Sequence, residues 1–177
     1  LDLPEEYTGK IAASGKRVSA EALPDGRYAE RYIAPAPEDQ TYADPVAARG
    51  SGLAPRVHGF AWTADPDYTV YERAFVWNEW ASRHEAEVAE VASALGMEPA
   101  DLAGREVLVR VMVHPEHASQ AERHWRATCA TLFYYGLWYG AYPYSELTAV
   151  DPAWGARAAG GMEYPTIFTC GSRMLTR

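Results

Sequence analysis

Histidine and glutamate at helical spacing are the first residues of this chain that could do chemistry, and that chemistry would be zinc ligation. Two histidines four apart on a helix, with glutamate after the first, put two ligands and a general base on one face. His84-Glu85 opens such a pattern, but Val88 stands where the second histidine belongs, so the ligand pair is incomplete. His84 also falls on the apolar stripe of its helix, where a packed or partner-satisfied histidine is the favoured reading. His114, His117 and His124 form a second group, with Glu116 and Glu122 nearby. His117 and His124 share a helix face, and three imidazoles could ligate a metal. Their spacing matches no common zinc pattern, and polar residues on a helix end and its solvent flank explain them more simply.

Nucleophile motifs are weaker. No G-x-S-x-G occurs, and Gly50-Ser51-Gly52 lies in a polar loop without the strand–turn–helix context that exposes a catalytic serine. The phosphate-binding patterns G-x-x-x-x-G-K-[ST] and G-x-G-x-x-G are absent from the sequence. Cys129 and Cys170 make no C-x-x-C pair, which leaves out a zinc knuckle and a redox motif and leaves a disulfide between them open. Cys129 falls on a buried helix face, where a small packed thiol is expected.

The stretch Gly160-Gly161-Met162-Glu163-Tyr164 is different. By itself it is a run of small and common residues on a loop. Its first four residues resemble the GxMEN motif of the aminopeptidase N family of gluzincin metallopeptidases. Tyr142-Pro143-Tyr144, Leu147-Thr148 and Val150-Asp151 match that family's strand before the motif. Pro115-Glu116-His117-Ala118 and Tyr134-Tyr135-Gly136 fit its bacterial branch. The resemblance covers about residues 105–177, thins to His58-Gly59-Phe60-Ala61-Trp62 and Ala64-Asp65-Pro66, and fades before residue 50. Tyr164 stands where the commonest motif has Asn, which alters a neighbouring hydrogen-bonding group and bears on which first side chain is preferred.

The resemblance implies a substrate and a set of roles. An exopeptidase must recognise a free α-ammonium group, and a carboxylate does so by charge pairing. Two unit charges ~4 Å apart attract by roughly 4 kcal/mol at an effective dielectric near 20, before solvent reduces the figure. Glu163 would be that anchor, and Gly160, Gly161 and Met162 the edge along which a peptide pairs as an added strand, with Tyr164 beside them. The intact parent would be a zinc enzyme removing N-terminal residues from peptides. Its H-E-x-x-H helix is not in this sequence, so the chain alone is expected to carry no zinc and no catalytic residue, and to be inactive. The first residue is not Met, which is expected of a processed or trimmed chain. A non-catalytic β-sandwich binding module is the alternative; it expects an aromatic binding face and no pocket beside Glu163. A relative that has lost its peptidase half is a third reading.

The elements that must position these residues read as an α+β chain. Tyr7–Ala13 and Arg27–Ala34 are strands around the turn-forming Pro24-Asp25-Gly26. Ala34-Pro35-Ala36-Pro37 is an extended linker, and Arg56–Ala64 and Tyr68–Phe75 are further strands. From about 77 to 95 the period changes to three and four, giving an amphipathic helix that Gly96 stops. Val107–Val113 alternates as a strand. Pro115 and Glu116 open a helix over 116–139, and strands follow at 147–150 and 161–170. The resemblance divides this into a β-rich, β-sandwich-like N-terminal portion over 1–114 and, over 115–177, the opening helix and strands of a thermolysin-like catalytic domain.

Composition bounds the rest. The chain has 177 residues, 48% of them hydrophobic, and a net charge of −8. Phosphate neutralisation needs clustered Lys and Arg, so nucleic acid is not an expected partner. No run of about 18 apolar residues occurs, so no membrane-spanning segment is expected. Truncation of a larger domain would expose apolar surface, and self-association is the expected consequence. The compartment, bacterial envelope or cytoplasm, stays open.

Overall fold

A computed structural model describes residues 1–33, 59–156 and 161–171. The fold is α+β. Its centre is strand β7 (Val107–Val113), whose two faces are both closed over almost its whole length. Val107, Val109, Val111 and Val113 turn to one side, as their alternation predicts, and are at most 1% exposed. Each contributes about 1.5–3 kcal/mol by leaving water. Met112 and Arg110 turn to the other side and are buried as well.

β7 organises a five-stranded mixed sheet. β6 (Thr69–Phe75) pairs antiparallel with it from Thr69↔Val113 to Phe75↔Val107. On its other side lies β8 (Glu146–Asp151), parallel, with Leu108↔Glu146 and Val113↔Asp151 as end pairs. β10 (Ile167–Thr169) adds parallel to β8, and β9 (Glu163–Tyr164) adds antiparallel to β10 at the edge. The expected boundary near residue 115 falls between β7 and β8, adjacent strands of this one sheet. A parallel pair needs a crossover connection, and α3 (Ala121–Tyr139) is that connection.

One face of the sheet carries the helices. The valine face of β7 packs with Trp125, Cys129, Leu132, Phe133 and Leu137 of α3. The expected helix over 116–139 enters through a 3-10 turn at Pro115–Gln120 before α3 begins. The expected helix over 77–95 is two: α1 (Trp77–Ala81) and α2 (Glu85–Leu95). Between them the His84 ring stacks on Trp80 and packs against Phe133, and the Tyr134 hydroxyl lies 3.3 Å from His84 Nδ1. That contact holds the chain's bend where no Pro or Gly marks it. Gly96 ends α2 at φ 64, and Met97 N–H returns to Ala92 C=O at 2.9 Å, closing the helix end with a left-handed residue. The Trp77 indole lies between Gly104 and Gly136, where an added Cβ would come within 2.4 and 2.8 Å of its ring carbons.

The opposite face is covered by β2 (Ile11–Ala13) and β5 (Trp62–Ala64), paired antiparallel. Ala12 joins Tyr68, Met112, Val150 and Ile167 in a second apolar cluster. Arg110 crosses this layer: its guanidinium reaches Glu72 at 2.6 Å and the Ile11 carbonyl at 3.4 Å. A separate sheet is built from β1 (Asp2–Pro4), β3 (Lys16–Ala22) and β4 (Arg27–Ile33), in the order β1-β4-β3. The hairpin at Pro24-Asp25-Gly26 is present, but its first arm is Lys16–Ala22. The segment expected as a strand from Tyr7 is a 3-10 turn over Glu5–Tyr7 and then β2. Ala34–Pro37, Gly50–Gly52 and the start of the strand expected from Arg56 lie outside the described residues. Among the described residues no helix is long and apolar enough to cross a membrane.

Candidate functional site

The hairpin of β9 and β10 is fixed by its turn. Pro165 at the first corner and a left-handed residue at the second is the pattern of a type II turn, which ordinarily takes glycine there. Here the second corner is Thr166, at φ 66. A β-branched residue in that region costs on the order of 1–3 kcal/mol and persists only where its surroundings hold it. The hold is visible. Thr166 Oγ1 accepts the Gly15 N–H at 2.9 Å, and the Thr166 carbonyl accepts the Thr148 N–H at 2.8 Å.

So fixed, the hairpin presents Gly161, Met162, Glu163 and Tyr164 along the outer edge of the sheet, all exposed. Met162 turns its backbone inward: its N–H donates to Thr169 Oγ1 at 3.0 Å and its C=O accepts the Thr169 N–H at 2.9 Å. In an antiparallel ladder the backbone groups alternate in direction, so those of Glu163 face the outer edge. Met162 therefore holds the hairpin together, and the groups turned outward belong to its neighbours. Gly161 sits at φ 74 in open space, so backbone conformation and not crowding calls for glycine there. Gly160, the other glycine of the sequence motif, lies outside the described residues.

Beside Glu163 and Tyr164 opens a cavity of about 670 Å³ between α3 and the sheet edge. Leu132, Tyr135 and Tyr139 line it from α3, Tyr142 from the approach to β8, Leu147 from β8 itself, and Phe168 from β10. Its lining is mostly apolar, with Thr128 and Thr131 on α3, Glu163 on the edge strand, and His124 with Cys170 further along.

The three histidines of the sequence group do not converge. His114 stands apart, with Nε2 3.6 Å from Asp65 Oδ2 and its ring edge-on to Tyr68. His117 and His124 share one carboxylate instead. His117 Nδ1 and His124 Nε2 each lie 3.2 Å from Asp151 Oδ2. Asp151 is fully buried, and His117 is 4% exposed, against the expectation of a solvent flank. The reason is the 3-10 turn after Pro115, which rotates His117 inward against Trp154. His117 Nδ1 is close to the carboxylate but out of line for a hydrogen bond. On its far side, His124 Nδ1 faces Cys170 Sγ at 3.8 Å. The hydrogen bond to Asp151, and then the one to Cys170, push His124 up to about 9 against the opposing effect of burial. Among the described residues no three His, Cys, Asp or Glu side chains are arranged to hold a metal ion.

Nothing in the sequence pairs Asp151 with Cys170 or brings either to His124. Their link is register: Thr169 pairs with Val150, so Asp151 and Cys170 sit side by side at the carboxyl ends of parallel strands. Both cysteines are free thiols. Cys129 is fully buried in the core, and burial pushes its thiol up to about 12.

No protein-family model matches the chain, and no curated protein matches it.

Proposed function

We propose that this chain carries the N-terminus-binding part of a zinc-dependent aminopeptidase of the aminopeptidase N type. The observation that carries this reading is Glu163, exposed on the outermost strand of the sheet at the edge of a 670 Å³ apolar cavity. An exposed carboxylate beside a strand edge unpaired among the described residues, and an apolar pocket, answer the three parts of a peptide's amino end: ammonium group, backbone and first side chain. Glu163 pairs with the ammonium group, and the outward groups of Gly161 and Glu163 pair with the peptide backbone. The cavity beneath receives the first side chain, with Tyr164 at its rim. The alternative of a non-catalytic binding module expects no pocket in this place, and the cavity favours the peptidase reading over it. In that reading zinc, the general base and hydrolysis belong to residues that this sequence does not contain. The chain alone binds and does not cleave.

The test is a titration of isotopically labelled chain with a short peptide bearing a free amine and with its N-acetyl twin, followed by NMR. The free amine should bind about tenfold more tightly, a difference of ~1.4 kcal/mol after solvent screening. The Glu163→Gln variant should abolish that preference while leaving the acetylated peptide unaffected. Equal affinity for the two peptides, or no binding of either, sinks the reading.

A further inference from the structure

We propose that Cys170 is a nucleophilic thiol opening into the apolar cavity, with His124 as its proton partner and Asp151 as the group that orients the imidazole. Three groups stand in line: Cys170 Sγ to His124 Nδ1 at 3.8 Å, and His124 Nε2 to Asp151 Oδ2 at 3.2 Å. A nucleophile beside a base that a third, buried group orients is the arrangement that activates serine and cysteine side chains. Asp151 is fully buried and fixed in β8, so it cannot follow the solvent. His124 is held by α3 in its first turn, and Cys170 follows β10 directly. Both strand-end residues stand where parallel strands of α/β sheets present ligand-binding groups, beyond their carboxyl ends.

Two further observations separate Cys170 from an ordinary core thiol. It and His124 both line the cavity, whereas Cys129 is sealed inside the helix–sheet core. His124 is also raised to about 9, so at neutral pH it is a cation whose Nδ1–H faces the sulfur. That imidazolium stands within contact distance of the sulfur, where it can hold the charge of the attacking atom. The chemical class that suits the site is a small electrophile with an apolar or aromatic body, an aromatic disulfide above all. In that reaction the Cys170 sulfur attacks one sulfur of the disulfide. A new S–S bond forms, the reagent's own S–S bond breaks, and its other half leaves as a thiolate. The proton shared by Cys170 and His124 stays on Nδ1, and no outside oxidant or reductant is consumed.

Dithiodipyridine, a neutral aromatic disulfide, tests this on the full chain by the absorbance of the thiopyridine it releases. One thiol per chain should react at least tenfold faster than glutathione at pH 6, and Cys170→Ser should remove that phase. His124→Gln should slow it at least tenfold at pH 6. Cys129 is the internal control, since it stays silent while the core is intact. A variant in which Cys129 reacts has lost its fold, and the decision then rests on wild type alone. There, a single thiol reacting at least tenfold faster than glutathione at pH 6 supports the proposal. A rate no faster than that of glutathione overturns it. So does an unchanged rate in a folded His124→Gln variant.

Discussion

Thr166 Oγ1 accepts the backbone N–H of Gly15 at 2.9 Å, joining two residues 151 positions apart. Thr166 is the corner of the hairpin that displays Glu163, and Gly15 lies in the turn between β2 and β3. The contact thus ties the position of a candidate binding strand to the first few residues of the fold. It also explains why a β-branched residue tolerates a left-handed conformation that glycine would adopt freely.

Replacing Thr166 with valine keeps the shape and removes the hydroxyl. The Gly15 N–H is then buried without its acceptor, which costs about 1–3 kcal/mol. Urea denaturation should show that loss for Thr166→Val, and a clearly smaller one for Thr166→Ser, which retains the oxygen. Equal losses for the two would assign the role to packing.

Gly104 and Gly136 both face Trp77, and they should differ. At Gly104 a methyl group would meet the indole at 2.4 Å with nothing to offset the clash, so Gly104→Ala should lose about 1–3 kcal/mol. At Gly136 the approach is 2.8 Å, and alanine recovers about 1 kcal/mol of helix propensity within α3. Denaturation midpoints should therefore rank wild type above Gly136→Ala, and Gly136→Ala above Gly104→Ala. Pairing Gly104→Ala with Trp77→Leu should cost less than the two changes added together.

His124 makes stability depend on pH with a definite sign. Its folded value of about 9 lies above the ordinary 6.5, so the folded state binds the proton more tightly than the unfolded chain. The resulting stability is fully present below about 6.5 and is lost as pH rises through 9. At 1.36 kcal/mol per unit it amounts to at most on the order of 3 kcal/mol. Among the described residues Asp151 and Cys170 face His124, with His117 across the same carboxylate. Unfolding free energy measured from pH 6 to 9.5 should fall in wild type and be nearly flat in His124→Gln.

How far the sequence leads depends on where each signal is written. β7 and α3 are legible because their sequence patterns are periodic: four valines alternate, and the helix stripe recurs at three and four residues. The hairpin arm Lys16–Ala22 was not, since most of its side chains are exposed and no alternation is imposed on it. The bend at Ser82–His84 has no Pro or Gly to announce it, because it is held by packing of the His84 ring on Trp80 of α1 and Phe133 of α3. At the candidate site, Glu163 and its glycines were visible as a local motif. Asp151, His124 and Cys170 were not, because their meeting depends on the register of β8 against β10 and on where α3 crosses. His117 was misplaced for a related reason, a 3-10 turn that a helical count from Pro115 does not foresee.

The strand at the centre of the sheet is also the segment most able to misfold. Val107–Val113 is seven residues of high β-propensity with one charge and neither Pro nor Gly, the composition that stacks into cross-β fibrils when its edges are bare. In the native fold both edges are occupied, by β6 and β8, and both faces are covered. β8 is made only after α3, so for a time β7 has one edge with no native partner. The helix that later walls the cavity is thus also the delay during which this chain is most exposed to aggregation.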